Sequence, residues 1–432
     1  MGVWGAGRET RSFASQLERR LPAAQITVIA FDSPPANDEV EMIAEDARVA
    51  VGDGVVEALG ECDVIVRSPG VSIHRSEMKK LRDLDIPIAT ATGLWLAERG
   101  SPGVVGITGT KGKSTTAALA SHLALTSGRT IALAGNIGVP ALDLLDREPV
   151  DLVFLELSSY QIADLAIGPD VGVITNLYRE HLNWHLTEQA YREEKLRLFS
   201  LPGVRTAVVN ARQPELVEAA SGVERLVLYG EPSGWDCDQR GILHAGELVV
   251  GTADLPLLGA HNVLNLCAAL TALEAVGFKP PLPAALAGFA SLPHRLQPCG
   301  EHGGVLWVDD SISTTPESTL VALDSFPGHG IVLLAGGFDR GQDYTELGVA
   351  LAARGDIVIG MPTTGSEVIA AARAAGAAPE RAIEVADLEA AIAVARDLAA
   401  PGSVVLLSPA APSYDHFRNF EERGERFRAL AG

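Results

Sequence analysis

The clearest chemical motif in the sequence is a glycine-rich loop that carries two lysines. Residues 106–115 read Gly-Ile-Thr-Gly-Thr-Lys-Gly-Lys-Ser-Thr, after a predicted strand and at the start of a predicted helix. Glycines let successive backbone amides point at phosphates, and the start of a helix adds the positive end of its dipole. Lys113 can then neutralise the β- and γ-phosphates, and the Ser114 hydroxyl can bind Mg²⁺. The loop predicts binding of a nucleoside triphosphate, without identifying the reaction.

Two polar residues follow predicted strands downstream of this loop. Glu156 comes directly after the apolar run Leu152 to Leu155, and His181 follows the run Val171 to Thr175. Because ligands of open α/β sheets bind at the carboxyl ends of strands, both residues are candidate ligands of Mg²⁺. A solvated strand end and a merely hydrogen-bonded histidine are the open alternatives. Lys195 lies on a predicted helix, where pattern alone predicts a surface lysine.

Apolar runs alternate with helical patterns along the whole chain. This alternation predicts α/β domains with parallel sheets. A chain of 432 residues is also too long for a single hydrophobic core. Breaks near 99–103 and 295–303 divide the pattern, so we predict three α/β domains that span residues 1–98, 99–296 and 297–432.

Composition limits the classes of partner. The formal net charge of −21 disfavours nucleic acid or an anionic membrane as a partner. Cys62, Cys237, Cys267 and Cys299 form no CxxC pair, which gives no metal-ligand spacing and suits a reducing compartment. No run reaches the roughly 18 apolar residues of a membrane span, and the N-terminus lacks a signal-peptide pattern. We therefore expect a cytoplasmic protein.

A series of short motifs occurs in a fixed order along the chain. They are Gly-Ile-Thr-Gly-Thr-Lys-Gly-Lys-Ser-Thr (106–115), Glu-Leu-Ser-Ser-Tyr-Gln (156–161), Glu-His-Leu (180–182), Gly-Ala-His-Asn-Val-Leu-Asn (259–265), Pro-His-Arg (293–295), Asp-Ser (310–311) and Leu-Leu-Ser-Pro (406–409). Together they resemble the Mur ligases of peptidoglycan synthesis, above all the members that add glutamate. The resemblance covers essentially the whole chain.

The resemblance implies an ATP-dependent ligase that adds glutamate to UDP-N-acetylmuramoyl-L-alanine and acts as a monomer. ATP would phosphorylate the alanyl carboxylate, and the amine of glutamate would then displace phosphate. The implied fold has a Rossmann-like N-terminal domain for the uridine diphosphate, a central P-loop ATPase domain with a mostly parallel sheet, and a Rossmann-like C-terminal domain for glutamate. The protein's part in such a reaction is positioning and charge neutralisation.

The same resemblance assigns residues to ATP and to two Mg²⁺ sites. Ser114 and Glu156 would serve one magnesium, while His181 and a carbamylated Lys195 would serve the second. The implied catalytic set is Lys113, Glu156, His181 and Lys195. A buried site favours the neutral amine that reacts with CO₂. The implied ATP contacts are Gly109, Thr110, Lys111, Gly112, Lys113, Ser114, Thr115, Asn262, Asn265, Arg295 and Asp310.

The first segment contains Gly5-Ala6-Gly7, which looks like the start of a dinucleotide fingerprint. The third glycine of that pattern is missing, since Thr10 stands there, so the evidence for NAD is weak. Under the resemblance this loop would instead hold the uridine diphosphate of the substrate. The implied substrate contacts are Gly7, Arg8, Asp32, Gly70, Asn136, Ser158, Ser159, Gln161, Thr314, Arg340, Ser413 and Phe420.

Several positions depart from the members that add D-glutamate. Those members carry Asn-Gly-Lys where residues 111–113 read Lys-Gly-Lys, and lysines where this chain has Ile312 and Arg340. Arginine binds a carboxylate as a fork, so Arg340 would still bind glutamate, with altered geometry. Segments 4–9 and 311–316 look more like a branch that adds L-glutamate and relies on a separate epimerase to invert it. We therefore favour L-glutamate, with D-glutamate as the alternative.

Three other classes of protein fit parts of the sequence. A P-loop switch or binding protein would carry an Asn-Lys-x-Asp motif, which the sequence lacks. A nucleotide-cofactor dehydrogenase rests on the incomplete glycine pattern alone. A folate-polyglutamate ligase shares the chemistry, but the N-terminal nucleotide-binding domain disfavours it.

Overall fold

The computed structural model describes residues 1–35, 37–178 and 182–431. These residues divide into two compact units. The first unit comprises residues 1–255 and 262–289, and the second comprises residues 256–261 and the chain from 290 onward. Two sheets belong to the first unit and one sheet to the second. All four cysteines are free thiols, and no helix among the described residues is long and apolar enough to cross a bilayer.

The N-terminal segment alternates strands and helices. Its elements are β1 (Gly2–Trp4), α1 (Arg8–Arg20), β2 (Val28–Phe31), α2 (Asn37–Glu41), β3 (Arg48–Val51), α3 (Val55–Gly60), β4 (Ile65–Arg67), α4 (Ser76–Asp83), β5 (Ile88–Ala89) and α5 (Ala91–Arg99). The strands pair in parallel in the order β3-β2-β1-β4-β5. The first strand is therefore central, and the loops after β1, β2 and β4 lie side by side.

The middle segment builds a larger sheet. Its elements are β6 (Val104–Thr108), α6 (Lys113–Ala124), β7 (Ile131–Gly135), β8 (Leu152–Glu156), α7 (Ser159–Ile162), β9 (Val171–Ile174), α8 (Leu182–His185), α9 (Glu188–Leu196), β10 (Thr206–Asn210), α10 (Pro214–Ala219), β11 (Arg225–Tyr229), β12 (Trp235–Asp238), β13 (Gly241–His244), β14 (Glu247–Gly251) and α11 (Ala260–Ala275). The order is β14-β13-β12-β11-β10-β9-β6-β8-β7. Only the pairs formed by β13 are antiparallel among the described strands of this sheet.

The C-terminal segment forms the third sheet. Its elements are β15 (Gln297–His302), β16 (Val305–Asp309), α12 (Pro316–Asp324), β17 (Ile331–Ala335), α13 (Thr345–Arg354), β18 (Ile357–Gly360), α14 (Gly365–Ala374), β19 (Ala382–Glu384), α15 (Leu388–Leu398), β20 (Val404–Leu407) and α16 (Phe420–Ala431). The order is β15-β16-β20-β17-β18-β19, with an antiparallel β15 at the edge. The remaining pairs are parallel.

The strands are apolar because helices cover both faces of each parallel sheet. Phe154 and Leu155 are neighbours on β8 and point to opposite faces, yet both are fully buried. In the first unit, one apolar cluster contains Val3 of the first sheet and Leu155 of the second. A buried ion pair between Arg67 on β4 and Asp164 after α7, at 2.9 Å, also joins the two segments. The N-terminal segment and the middle segment therefore pack as one body.

The predicted α/β fold with mostly parallel sheets is confirmed. The apolar runs at 331–335 and 357–360 form the strands Ile331–Ala335 and Ile357–Gly360. The helix predicted after the glycine-rich loop ends at Ala124 and continues as one tighter turn, Leu125–Ser127. The three domain boundaries drawn from sequence stay predictions.

Candidate functional site

The glycine-rich loop connects β6 to α6. Gly112 begins α6 in the left-handed conformation, with a φ of 79°, which costs a residue with a Cβ about 1–2 kcal/mol. A Cβ on Gly112 would also overlap the side-chain oxygen of Asn265 on α11. Glycine is therefore required both by the backbone conformation and by the close approach of α11.

The residues that follow β9 hold the loop in place. Asn176 donates from Nδ2 to the Lys111 carbonyl at 2.9 Å and accepts from the Lys111 amide at 2.8 Å. The Thr175 hydroxyl donates to the same carbonyl at 2.6 Å. The ammonium of Lys113 lies over the loop, 3.4 Å from the Thr110 carbonyl. The loop is a preorganised cradle for phosphate groups.

The other implied ATP contacts of the first unit lie within this loop or on α11 beside it. Ser114 and Thr115 lie buried in the first turn of α6, and Gly109 lies at the end of β6. Asn262 and Asn265 lie one turn apart on α11, and Asn265 Nδ2 donates to Asn262 Oδ1 at 3.1 Å. The structure brings these positions together, and their contacts with ATP stay a prediction.

Glu156 ends β8 with a buried carboxylate that is only half satisfied. Its Oε1 accepts a hydrogen bond from Asn136 Nδ2 at 3.0 Å, whereas its Oε2 is buried without a hydrogen-bond partner. On the neighbouring strand, the buried Thr108 hydroxyl also lacks a partner. Such groups cost roughly 1–3 kcal/mol each when nothing binds them. The open oxygen of Glu156, on a strand that pairs with β6 before the phosphate loop, fits an Mg²⁺ ion, which prefers oxygen ligands.

Lys195 is buried, which corrects the surface position that its helical pattern predicts. The residue is 2% exposed, and its Nζ donates to the Gly109 carbonyl at 3.1 Å. Its Nζ also lies 5.0 Å from the ring centroid of Tyr191, whose hydroxyl is 2.6 Å from Thr110 Oγ1. The helix α9 therefore delivers a lysine amine to the phosphate loop from inside the protein.

The remaining implied metal ligand, His181, lies outside the described residues. Ser114, Glu156 and Lys195 are described, and all three are buried around the same loop. The donor set of a hydroxyl, a carboxylate and a modifiable amine suits a hard divalent cation. The residues fit Mg²⁺, and the second magnesium site stays a prediction.

The segment after Glu156 is a short helix capped by its own side chains. Ser158 Oγ accepts from the Gln161 amide at 3.2 Å, and Gln161 Oε1 accepts from the Ser158 amide at 2.7 Å. Gln161 Nε2 donates to the carboxylate of Glu9 and to Thr92 Oγ1. Burial raises the pKa of Glu9, while its hydrogen bond to Gln161 opposes that rise. Gln161 thus bridges α7 and α1, and its implied substrate contact stays a prediction.

Gly7 and Arg8 begin α1 next to the second sheet. Arg8 Nη2 donates to the carbonyls of Gly135 and Gly138, at 3.0 and 3.1 Å, on either side of Asn136. A Cβ on Gly7 would lie 2.8 Å from Ser68 Oγ. A cavity of about 500 Å³ opens here, which is a size suited to a small ligand. Its lining residues are Arg8, Arg11, Ser12, Ser15, Gly138, Val139, Pro140 and Asp143.

Asp32 and Gly70 lie at the same edge of the first sheet as Gly7. They follow β2 and β4, the two strands that flank β1. Asp32 forms an ion pair with Arg75 at 2.5 Å and remains 54% exposed. The Gly70 carbonyl accepts from Trp184 Nε1 at 3.2 Å. This edge is where ligands bind in open parallel sheets.

In the second unit, Asp310 follows β16 and is buried. Its carboxylate accepts from the Ser408 hydroxyl at 2.8 Å and from the Leu296 amide at 3.1 Å. Burial raises the pKa of Asp310 to about 6, although these hydrogen bonds favour the charged form. Arg295 lies one residue before Leu296, so the two implied ATP contacts of this unit lie close together.

The implied glutamate contacts follow neighbouring strands of the third sheet. Thr314 follows β16, Arg340 follows β17, and Ser413 follows β20, which lies between them. The Arg340 guanidinium lies 5.6 Å from the ring centroid of Tyr414. The backbone carbonyl of Phe420, at the start of α16, accepts from the Ser311 hydroxyl at 2.8 Å. Parallel strands place these residues at one edge of the sheet.

Buried Arg423, on α16, stabilises the loop after β16 at this edge of the sheet. It donates from Nε to Ser311 Oγ at 3.0 Å and from Nη2 to the Ser311 carbonyl at 2.9 Å. Burial lowers the pKa of its guanidinium to about 10. Arg423 therefore fixes the loop after β16 through Ser311.

Family models match two parts of the chain. The model described as the Mur ligase middle domain matches residues 107–273. The model described as the Mur ligase glutamate ligase domain matches residues 294–411. The chain belongs to the Mur ligase family.

Curated relatives match this Mur ligase along its full length. Proteins of Salinispora tropica and of a Micromonospora species are 39% and 40% identical to it; the matches cover 99% of this chain and 96% and 95% of theirs. A protein of Xanthomonas axonopodis pv. citri is 37% identical, over 100% of this chain and 95% of its own. Each of the three is named a UDP-N-acetylmuramoyl-L-alanine--L-glutamate ligase.

Solved structures share the fold at lower sequence identity. The MurF ligase of Thermotoga maritima, in complex with ADP, has a TM-score of 0.60 at 18% identity, over 96% of this chain and 91% of its own. The UDP-N-acetylmuramate-alanine ligase MurC of the same organism also has a TM-score of 0.60, at 17% identity, over 99% and 97%. Family membership makes this Mur ligase an amide-forming enzyme and excludes the switch protein and the dehydrogenase.

Two residues of the site were missed in the sequence. Asn176 anchors the phosphate loop, and Thr108, the last residue of β6, has a buried hydroxyl without a hydrogen-bond partner. Asn176 follows the predicted strand Val171 to Thr175, so the rule that selected Glu156 at a strand end could have selected it. Thr108 lies inside the glycine-rich motif, but it was not selected because the glycines, the lysines and Ser114 carry the chemistry of that pattern.

Proposed function

We propose that this Mur ligase adds L-glutamate to UDP-N-acetylmuramoyl-L-alanine and consumes ATP in peptidoglycan precursor synthesis. The observation that carries the proposal is the half-satisfied carboxylate of Glu156 beside a preorganised phosphate loop. This arrangement suits a phosphoryl transfer. The names of the curated relatives support the two substrates and the L-enantiomer.

The first step activates a carboxylate. An oxygen of the alanyl carboxylate attacks the γ-phosphorus of ATP, and the bond from that phosphorus to the bridging oxygen of ADP breaks. Lys113 and the loop amides hold the phosphates in line and neutralise their charge. Mg²⁺, when bound by Ser114 and Glu156, supplies Lewis-acid charge stabilisation. Asn136 keeps the Glu156 carboxylate oriented through its hydrogen bond of 3.0 Å.

The second step forms the amide. The free amine of glutamate attacks the acyl carbon, the carbon–oxygen bond to phosphate breaks, and phosphate leaves with that oxygen. The amine nitrogen loses one proton in becoming an amide. Arg340 is the candidate for binding a carboxylate of glutamate through two parallel hydrogen bonds. Thr314, a second candidate, lies in the loop after β16 that Arg423 holds through Ser311. Phosphate is a good leaving group, so the enzyme needs mainly to position the amine.

We also propose that Lys195 works as a carbamate. The ammonium group first loses one proton, and the neutral amine then adds to CO₂, forming one nitrogen–carbon bond and releasing a second proton. A cation thus becomes an anionic carbamate that can serve as a metal ligand. Burial supports this, because desolvation favours the neutral amine. The position of Nζ, at 3.1 Å from the Gly109 carbonyl, also supports it, because a carboxylate added to this nitrogen would lie near the phosphate loop. His181 completes the proposed second magnesium site.

The test is ADP release by the purified full chain, measured with single substrates left out. We expect release only when UDP-N-acetylmuramoyl-L-alanine, ATP and L-glutamate are all present, and a much lower rate with D-glutamate. ADP release that ignores the sugar nucleotide would overturn the ligase assignment. Equal or faster turnover with D-glutamate would overturn only the choice of enantiomer.

Further expectations follow from this proposal. The enzyme is expected to act in the cytoplasm, where ATP and the nucleotide sugar are available, and as a monomer. An L-glutamyl product would need a separate epimerase acting afterwards on the product.

A further inference from the structure

A second cluster of metal-ligating side chains lies in the first unit, where the first sheet packs on the second. His74 lies between β4 and α4, His185 ends α8, and Glu194 lies on α9. The three side chains offer ligand atoms that all lie within 4.8 Å of one another. They come from three separate segments, so the fold and not local sequence brings them together.

The carboxylate of Glu194 lies between the two imidazoles. Its Oε1 is 2.5 Å from His74 Nε2, and its Oε2 is 2.6 Å from His185 Nδ1. The contact with His185 is a hydrogen bond, whereas the contact with His74 is an ion pair in which the buried Nε2 has no hydrogen-bond partner. A buried ring nitrogen that has a carboxylate beside it and no hydrogen-bond partner is well placed to share a cation with that carboxylate.

Neighbouring groups fix the direction of both rings. His185 Nε2 is 2.9 Å from the Ser159 hydroxyl, which leaves Nδ1 facing Glu194. Metal-binding histidines usually use their second nitrogen in such a bond. The His74 ring packs edge-on against Trp184 at 5.8 Å. The Trp184 carbonyl in turn accepts from Ser72 Oγ at 2.7 Å, two residues before His74.

We propose that His74, His185 and Glu194 bind a divalent transition metal of the Zn²⁺ class. Two imidazole nitrogens and one carboxylate oxygen form a ligand set typical of Zn²⁺, with water completing the shell. Mg²⁺ prefers oxygen ligands, so this site differs in selectivity from the one at Ser114 and Glu156. The metal clamps the segment after β4 onto α8 and α9.

The site is separate from the one proposed at Lys195, although Glu194 and Lys195 are adjacent. Successive residues of a helix point about 100° apart, as 3.6 residues per turn require. Lys195 faces the Gly109 carbonyl, whereas Glu194 faces the two histidines. The inference does not depend on which amino acid the enzyme adds.

The test is Zn²⁺ binding by the full chain after removal of metals with a chelator. Titration is followed by calorimetry with excess Mg²⁺ present, which occupies the oxygen-rich sites. We expect one tightly bound Zn²⁺ in the wild type and an affinity at least about 10-fold weaker in His74→Gln. The matched control is His244→Gln, whose ring lies 3.5 Å from Glu274 and is 29% exposed, against 26% for His74.

Equal Zn²⁺ affinity in the wild type and His74→Gln would overturn the proposal, as would no binding by the wild type. A second measurement needs no variant. Crystals of the wild type grown with Zn²⁺ should show an anomalous peak between the three side chains. A zinc peak only at Glu156, or none, would equally overturn it.

Discussion

Asn136 Nδ2 donates a hydrogen bond to Glu156 Oε1 at 3.0 Å, which leaves Glu156 Oε2 buried and unbonded. The two residues end neighbouring strands, β7 and β8, whose register pairs Gly135 with Glu156. One oxygen is therefore used to orient the carboxylate, and the other is left for a ligand. A metal-binding carboxylate is typically oriented in this way, with one oxygen hydrogen-bonded to a second residue and the other free to bind the metal.

Replacing Glu156 by glutamine should separate catalysis from stability. The amide keeps the size of the side chain but removes the charge that binds Mg²⁺, so we expect kcat to fall about 10²-fold or more. The thermal midpoint should not fall, because an unbonded buried carboxylate is removed. Steady-state kinetics and thermal denaturation check both. The exposed Glu148→Gln is the matched control, and a Glu156 variant with wild-type kcat would exclude the metal role.

Gly112 should not tolerate a Cβ. In Gly112→Ala the new methyl would overlap Asn265, in addition to the cost of a positive φ. We expect ATP affinity to fall about 10-fold or more, equivalent to at least ~1.4 kcal/mol. The control is Gly128→Ala, which has a similar φ of 73° but open space around the Cβ. Equal ATP affinity in the two variants would show that the approach of Asn265 is unimportant.

Lys195→Ala should be inactive but open to chemical rescue. Loss of the carbamate removes a metal ligand, so we expect activity to fall by about 10²-fold. Added short carboxylates such as acetate or propionate should restore part of it by occupying the vacated space. The control is Lys279→Ala, which replaces an exposed lysine. Its activity should not fall, and added carboxylates should not alter it. Full activity in Lys195→Ala without any carboxylate would discard the carbamate.

Asp310 should make the stability of the second unit depend on pH. Its folded pKa, about 6, lies above its ordinary value of 3.8. The protonated form is therefore favoured on folding, and its contribution to stability is lost as pH rises from about 4 through 6. From pH 5.5 to pH 8, wild type should lose about 1 kcal/mol relative to Asp310→Asn. Urea unfolding at the two pH values measures this difference.

The exposed Asp324→Asn should show no such pH-dependent difference from the wild type. A constant offset between wild type and Asp310→Asn at both pH values would contradict the raised pKa. The buried hydrogen bonds from Ser408 and Leu296 favour the charged carboxylate and so reduce the predicted slope, but burial has the larger effect on the pKa and sets the sign.

The parallel strands were predictable because burial on both faces makes them continuous apolar runs. The hairpin of β13 and β14 was not, since its turn is Ala245-Gly246, with φ values of 51° and 82°. Two positive φ values define the tight hairpin turn that Asn-Gly or Asp-Gly usually announces. Because Ala245 stands where Asn or Asp is usual, the sequence does not show the typical pattern of this turn.

The candidate site could be predicted only in part, because tertiary packing buries residues that the sequence pattern assigns to the surface. Helical periodicity assigns lysines to solvent, yet Tyr191 and Lys195, four residues apart on α9, are both buried. The pattern could not show that this face meets the phosphate loop. Likewise, no sequence pattern joins His74 with Glu194, because the packing of the segment after β4 against α9 decides that contact.

The most direct test follows oxygen atoms. The alanyl carboxylate of UDP-N-acetylmuramoyl-L-alanine is labelled with ¹⁸O, and the phosphate released with ATP and L-glutamate is analysed by mass spectrometry. Attack of the carboxylate on the γ-phosphorus predicts one ¹⁸O in each phosphate and loss of one from the amide product. Unlabelled phosphate alongside an amide that keeps one label, with the other label found in AMP or in water, would contradict an acyl phosphate; no amide at all would contradict the proposed ligase.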